Sequence, residues 1–284
     1  MRYLTAVDPA WPFPRGTGED AATADAVVLA GDRHSPDPVA TAAGTTCKVT
    51  APVAGQPMLE RVTSALSASG VVAKVLLCGP GTEALHEAPA IERDLAGPWL
   101  DRIDASSSPS ASALAALEAR PHRRPVLVTT GDHALLTAEM VAAFTAAADD
   151  QAWDAAVALA PYHLVHGRYP EARPTATRFR HGAACGCNLF SLRTPDSRRL
   201  IELWARLEQR RKHPWRTIAG AVGARSLADY ALGRLTIERA LERLSCRLGI
   251  RVGAVMLPFA AAGLDVDTVA DWQLADRIAR GADT

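Results

Sequence analysis

Three stretches of this chain carry residues whose types and spacing could do chemistry. The first is VLVTTGDHALLT (126–137), in which a run of β-formers delivers Asp132 to the carboxyl end of a strand. Open α/β sheets bind their ligands there. A helix N-cap or turn aspartate is the bland alternative for a single carboxylate. The second is LDVDTVADWQLA (264–275), where Asp265 and Asp267 alternate just before a helix that Thr268 can cap, with Asp271 at its third position. Capping accounts for Thr268 and Asp271 but leaves Asp265 and Asp267 to repel each other unless a cation sits nearby. A hard divalent ion such as Mg²⁺ takes one or two carboxylates plus substrate phosphates, so Asp132 with Asp265 or Asp267 makes a suitable pair.

The third stretch is LAGDR (29–33) and the loop that follows it through Gly44 to Lys48. A strand feeding a loop with glycine, Arg33 and Lys48 suits phosphate, because exposed backbone N–H groups and cations converge on an anion. The GxxxxGK[ST] of a P-loop and the GxGxxG of a dinucleotide fold are both absent, which removes those two readings. Arginine otherwise replaces lysine almost throughout, so a lysine kept at 48 fits a compact ammonium aimed at one phosphate. A solvated loop lysine is the plain alternative. His181, Cys185 and Cys187 offer zinc-type ligands without a fourth, and buried thiols in a core strand explain them more simply.

These residues need a scaffold. From Ala26 the chain alternates short β-type runs with helical stretches: AVVLA (26–30), MLERVTSALSASG (58–70), AKVLLCG (73–79), PVLVTTGD (125–132), TAEMVAAFTAAADD (137–150) and WDAAVALAP (153–161). The strands ACGCNLFSLR (184–193) and RVGAVMLPF (251–259) follow, with a closing helix DWQLADRIAR (271–280). This is the βαβ rhythm of a sheet covered by helices. The expected organisation is an N-terminal arm over 1–24 and one domain over 25–284, with a helical insertion at about 197–249. Leu200, Leu203, Trp204 and Leu207 fall on one helical face of that insertion.

With 284 residues, 48% of them hydrophobic and 22% charged, the chain reads as an ordinary globular protein rather than a disordered or fibrous one. Formal net charge is zero, so nucleic acid is not implied as a partner. Zero hides a separation, because the Ser197–Arg251 stretch is strongly basic and the remainder correspondingly acidic. The basic segment 198–216, with Trp204 and Trp215, fits either an anionic acceptor or peripheral contact with an anionic membrane; a solvated arginine face explains it equally well. No apolar run reaches membrane-spanning length, the start lacks a signal-peptide core, and five scattered cysteines fit reduced thiols. A cytoplasmic location is the expectation.

The order LAGDR, Lys48, PVAGQPMLERV, SPSASALAALEA (108–119), TTGDHALLT, GCN (186–188) and DVDTVAD resembles the MobA-like nucleotidyltransferases. Relatives of that family include molybdenum-cofactor guanylyltransferases, sugar-phosphate nucleotidyltransferases and CMP-sugar synthetases. The resemblance covers roughly 26–193 and 251–280. It implies an α/β, GT-A-like (Rossmann-like) nucleotide-diphospho-sugar transferase fold: a mixed, mostly parallel sheet flanked by helices, here with an added helical lobe.

Position by position, the resemblance implies that backbone at Leu29, Ala30 and Gly31 lies against the base and phosphates, with Arg33 and Lys48 as cations on the triphosphate. Ser112 would sit near the base or ribose. Asp132 matches the metal-binding aspartate, Asp267 the second, with Asp265 the next choice, for Mg²⁺ or Mn²⁺. Gly186 and Asn188 match the strand that contacts the acceptor.

The implied reaction moves an NMP unit from an NTP to a phosphorylated small-molecule acceptor and releases pyrophosphate, with Lys48, Arg33 and Asp132 carrying it. Two departures stand out. Asp32 occupies a position where the family commonly has glycine, and His133 follows the metal aspartate where proline is usual. The rival readings are a GT-A glycosyltransferase using a nucleotide sugar and a nucleotide-binding protein without turnover, the latter motivated by Asp32.

Overall fold

A computed structural model describes residues 23–32, 36–120, 123–209 and 223–282. Most of the N-terminal arm, Arg33, and residues 210–216 of the basic segment lie outside the described residues. The strands are β1 (Ala24–Leu29), β2 (Pro52–Val53), β3 (Gln56–Pro57), β4 (Val72–Cys78), β5 (Leu100–Ile103), β6 (Val126–Thr130), β7 (Ala155–Pro161), β8 (Ala176–Phe179), β9 (Gly182–Leu192) and β10 (Val252–Met256). The helices are α1 (Pro38–Ala43), α2 (Met58–Ala68), α3 (Thr82–Leu85), α4 (Pro89–Leu95), α5 (Pro109–Ala119), α6 (Ala138–Asp149), α7 (Tyr162–Arg168) and α8 (Arg198–Gln209). Three further helices among the described residues are α9 (Ala224–Ala231), α10 (Ile237–Leu248) and α11 (Val269–Ala279).

The main sheet runs β10-β7-β9-β6-β1-β4-β5, with β8 on β9. The β1/β4, β1/β6, β4/β5 and β7/β10 pairs are parallel, while β9 lies antiparallel to β6, β7 and β8. The chain leaves β1 toward β4 on one side and returns to β6 on the other. That reversal opens a crevice beyond the carboxyl ends of β1 and β6, the place where such sheets receive ligands. The mixed, mostly parallel sheet expected from the sequence is present.

Strand alternation sends Ala26 and Val28 to one face and Val27 and Leu29 to the other. The first face packs on α2 through Leu59, Val62 and Leu66 and on α6 through Met140 and Phe144. Full burial of a side chain such as Phe144 stabilises the fold by about 1.5–3 kcal/mol. The second face receives Ala113 and Ala116 of α5, Ile201 and Leu203 of α8 and Leu248 of α10. The amphipathic stripe of α8 lands here: Leu200, Trp204 and Leu207 pack on this cluster, and Trp204 stacks on Phe190 of β9 with ring centroids 6.2 Å apart. At its end α8 reaches α5, where Ser110 donates to Glu208.

The polar stretch after β7, unassigned from sequence, holds α7 and β8. Both are short, and β8 exposes most of its surface, so neither shows a buried periodic face. Cys185 and Cys187 sit in the core, 1% and 2% exposed, and among the described residues no group of three or more His, Cys, Asp or Glu forms a ready-made metal site. No described helix is long and apolar enough to cross a membrane.

Candidate active site

The crevice holds a cleft of about 220 Å³. Its floor is the end of β1. The Ala30 N–H donates to the Cys78 carbonyl at 2.9 Å, and the Leu29 carbonyl accepts from Gly131 at 2.9 Å. Gly31 is thus the first residue beyond the ladder. A Cβ added to it would stand 2.7 Å from Ala105 Cβ, so glycine is what lets the two loops approach. Leu29, Ala30, Gly31, Lys48, Ser112, Asp132 and Asp267 all line this cleft. Asp32 lines it too and is exposed.

Lys48 starts a short 3-10 turn, Lys48–Thr50. Its ammonium donates to Asp132 Oδ2 at 2.5 Å, to the Val266 carbonyl at 2.8 Å and to Asp267 Oδ1 at 3.4 Å. Burial works against its charge, but the attraction of Asp132 and then Asp267 outweighs that and holds its pKa above the ordinary lysine value. The ammonium therefore rests on the carboxylates at the wall of the cleft.

Asp132 sits two residues beyond β6. Its second oxygen, Oδ1, is buried and has no hydrogen-bond partner among the described residues, and the same holds for Thr130 Oγ1. Val266 ties the two acidic stretches together, its N–H donating to the Asp132 carbonyl at 3.2 Å and its own carbonyl accepting from Lys48. The two aspartates that flank this buried residue differ in exposure and in partners. Asp267 is 72% exposed. Asp265 accepts from the Asn188 amide at 2.7 Å. Burial first, then repulsion from Asp267 and Asp132, raises the Asp265 pKa, with Asn188 pulling the other way.

The other sequence candidates are placed as follows. Ser112 Oγ accepts from the Ser106 N–H at 2.8 Å and so fixes the loop that enters α5. Asn188, with φ 45°, holds a left-handed conformation in β9, and its amide is spent on Asp265. Gly186 lies exposed on β9 and lines neither this cleft nor the cavity beside it. His133 is buried in the turn after Asp132, and burial pushes its pKa down to about 4 against the pull of Asp132. It is a neutral packing residue at neutral pH.

Sequence reasoning missed two contributors. Asp37 caps α1, accepting from the Val39 and Ala40 N–H groups, and lines the cleft; Asp before Pro at a helix start was a readable signal. Glu87 accepts from the Thr46 N–H at 2.8 and 3.0 Å, from Thr46 Oγ at 2.6 Å and from Thr50 Oγ at 2.5 Å. It thereby grips the turn on either side of Lys48, and nothing local in the sequence announces it.

The fold around this crevice, a mixed and mostly parallel sheet flanked by helices, is shared by known structures. A hypothetical transferase from Thermus thermophilus superposes with TM-score 0.70 at 26% identity, over 88% of this chain and 99% of that one. CMP:2-keto-3-deoxy-manno-octonic acid synthetase complexed with CTP gives 0.53 at 13% identity, over 92% and 100%. The 4-diphosphocytidyl-2C-methyl-D-erythritol synthase of Anaerococcus prevotii gives 0.54 at 10%, over 92% and 100%. No curated protein sequence matches. The chain belongs to the MobA-like NTP transferase domain family, whose model matches residues 26–230. It is a nucleotidyltransferase by class, which sets the glycosyltransferase alternative aside. The match runs past β9 into the helical lobe, beyond the 26–193 stretch of the resemblance, and ends before the stretch that holds Asp265 and Asp267.

Proposed function

We propose that this protein transfers an NMP unit from an NTP to a phosphorylated small-molecule acceptor in a reaction that needs Mg²⁺ or Mn²⁺. The carrying observation is the Lys48 ammonium held between Asp132 and Asp267, beside a buried Asp132 oxygen with no partner among the described residues. A hard cation suits such an all-oxygen set, with Asp132 and Asp267 as its holders and Asp265 behind them. When bound, it would neutralise charge on the phosphates.

The chain's own residues supply position and charge. Gly31 gives the triphosphate close access to backbone at the end of β1. Lys48, freed from part of its carboxylate contact, would face the phosphates, and Arg33 would add a second cation. An acceptor phosphate oxygen attacks the α-phosphorus, the bond from that phosphorus to the bridging oxygen breaks, and pyrophosphate leaves with the electron pair. No general base is required, because a phosphate monoester is already ionised near neutral pH. Positioning and charge stabilisation then dominate, as in phosphoryl transfer generally.

Pyrophosphate release across a panel of NTPs and phosphorylated acceptors tests the reading. Asp132→Ala should abolish turnover with the circular dichroism spectrum unchanged. Full activity in that variant contradicts the metal assignment, and nucleotide binding without turnover for any acceptor favours the non-catalytic alternative.

A further inference from the structure

Beside Asp267 lies a second and larger cavity, about 520 Å³, between residues 171–175 and one flank of α11. Asp267 is the one residue lining both cavities, whereas Asp132 lines only the first and Asp265 only the second. The candidate metal carboxylates therefore form the partition between two compartments. If the first compartment takes the NTP with its phosphates at these carboxylates, the second is the adjoining space that Asp267 shares with it.

The lining sets the chemistry of what fits. Among the described residues, no Phe, Tyr, Trp or His lines this cavity, so a flat ring has nothing there to stack on. Thr175, Gln273 and the carboxylates offer donors and acceptors of the kind that bind hydroxyl groups. The volume falls in the usual range for small-molecule sites.

Charge singles out one residue. Glu171, Asp265, Asp267 and Asp271 would repel an incoming phosphate. Of the two arginines, Arg277 is already paired with Glu171. Arg173 has no carboxylate partner among the described residues; its Nη1 makes only long contacts, 3.3 and 3.4 Å, to the Pro170 and Ala172 carbonyls.

We propose that the cavity between residues 171–175 and α11 receives the acceptor, that the acceptor is a small hydroxyl-rich phosphomonoester lacking an aromatic ring, and that Arg173 binds its phosphate. This rests on the transferase reading above. It also moves acceptor recognition away from Gly186 and Asn188.

The probes are glycerol 3-phosphate, erythritol 4-phosphate and glucose 1-phosphate, set against phenyl phosphate and a pterin phosphate. Pyrophosphate release should occur with a member of the first group. Arg173→Gln should raise the acceptor KM about tenfold or more while leaving the NTP KM unchanged, and Arg173→Lys should recover part of the loss. Turnover restricted to the aromatic phosphates, or an acceptor KM untouched in Arg173→Gln, overturns the proposal.

Ligand-observed NMR separates this inference from the transferase reading, because it needs no turnover. Binding of the polyol and sugar phosphates that weakens in Arg173→Gln upholds the cavity even where no pyrophosphate forms. Equal binding in both proteins, or none in either, sinks it.

Discussion

Lys48 Nζ lies 2.5 Å from Asp132 Oδ2, joining two positions 84 residues apart at the mouth of the crevice. The ammonium occupies space between carboxylates that a divalent ion would share. Competition between the two cations follows from simple electrostatics. In Lys48→Met the carboxylates lose their counter-charge, so Mn²⁺ should bind the nucleotide-free protein about tenfold more tightly, as read by electron paramagnetic resonance. Turnover in the same variant should fall roughly 10²–10³-fold, since a charge-stabilising donor is gone. Unchanged Mn²⁺ affinity would show that lysine and metal do not share the site.

Glu87 holds the Lys48 turn from the α3–α4 connection. Glu87→Gln keeps the shape but weakens charge-assisted hydrogen bonds from Thr46 and Thr50, so the NTP KM should rise several-fold with a smaller change in kcat.

The same carboxylate predicts a pH dependence. Burial pushes the Glu87 pKa upward, but the hydrogen bonds from Thr46 and Thr50 outweigh it and hold the value below the ordinary 4.5. Its contribution to stability is therefore complete above about pH 4.5 and is lost as pH falls through the depressed value. The difference in Tm between the natural protein and Glu87→Gln should be larger at pH 7 than well below pH 4.5. A difference independent of pH would refute the sign.

Asn188 combines a left-handed backbone with an amide bond to Asp265. Asn188→Ala loses the amide and leaves a β-carbon in an unfavourable conformation, costing on the order of 1–2 kcal/mol in the backbone alone. Asn188→Gly relieves that strain. Denaturant titration should place the glycine variant above the alanine variant in stability, while both show a similar drop in turnover. Equal stabilities would mean that the backbone conformation at this position costs nothing.

The cysteines give a test of the core itself. Cys47, Cys78, Cys185 and Cys187 are buried and Cys246 is exposed, and burial raises the pKa of each of the first four. In the folded protein a thiol reagent such as DTNB should titrate one thiol quickly, and the rest only after denaturation. Fast reaction at more than one site would contradict the packing of β4 and β9.

Much of the sheet was legible because buried strands read as apolar runs. AVVLA and VLVTT can be placed without any partner in view, and the Thr268–Asp271 capping box follows from local spacing and is present. β2 and β3 were not legible, since two residues each carry no period. Nor was β5, a four-residue edge strand. Glu87 stayed hidden for a different reason, since its partners Thr46 and Thr50 lie 41 and 37 positions away, and Asn188, named through the resemblance, gave no sign of its bond to Asp265, 77 positions on.

The sequence alone determined the elements, the sides they bury and the family motifs, because helix and strand periodicity are properties of neighbouring residues. It could bring Asp132 and Asp267 together only as an expectation, from the chemistry of a shared cation and from the resemblance. The tertiary structure decided that β6 lies beside β1, that Val266 docks on Asp132, and that Lys48 reaches residues 84 and 219 positions away. Contacts of that range depend on strand order and crossover paths, which no local pattern encodes.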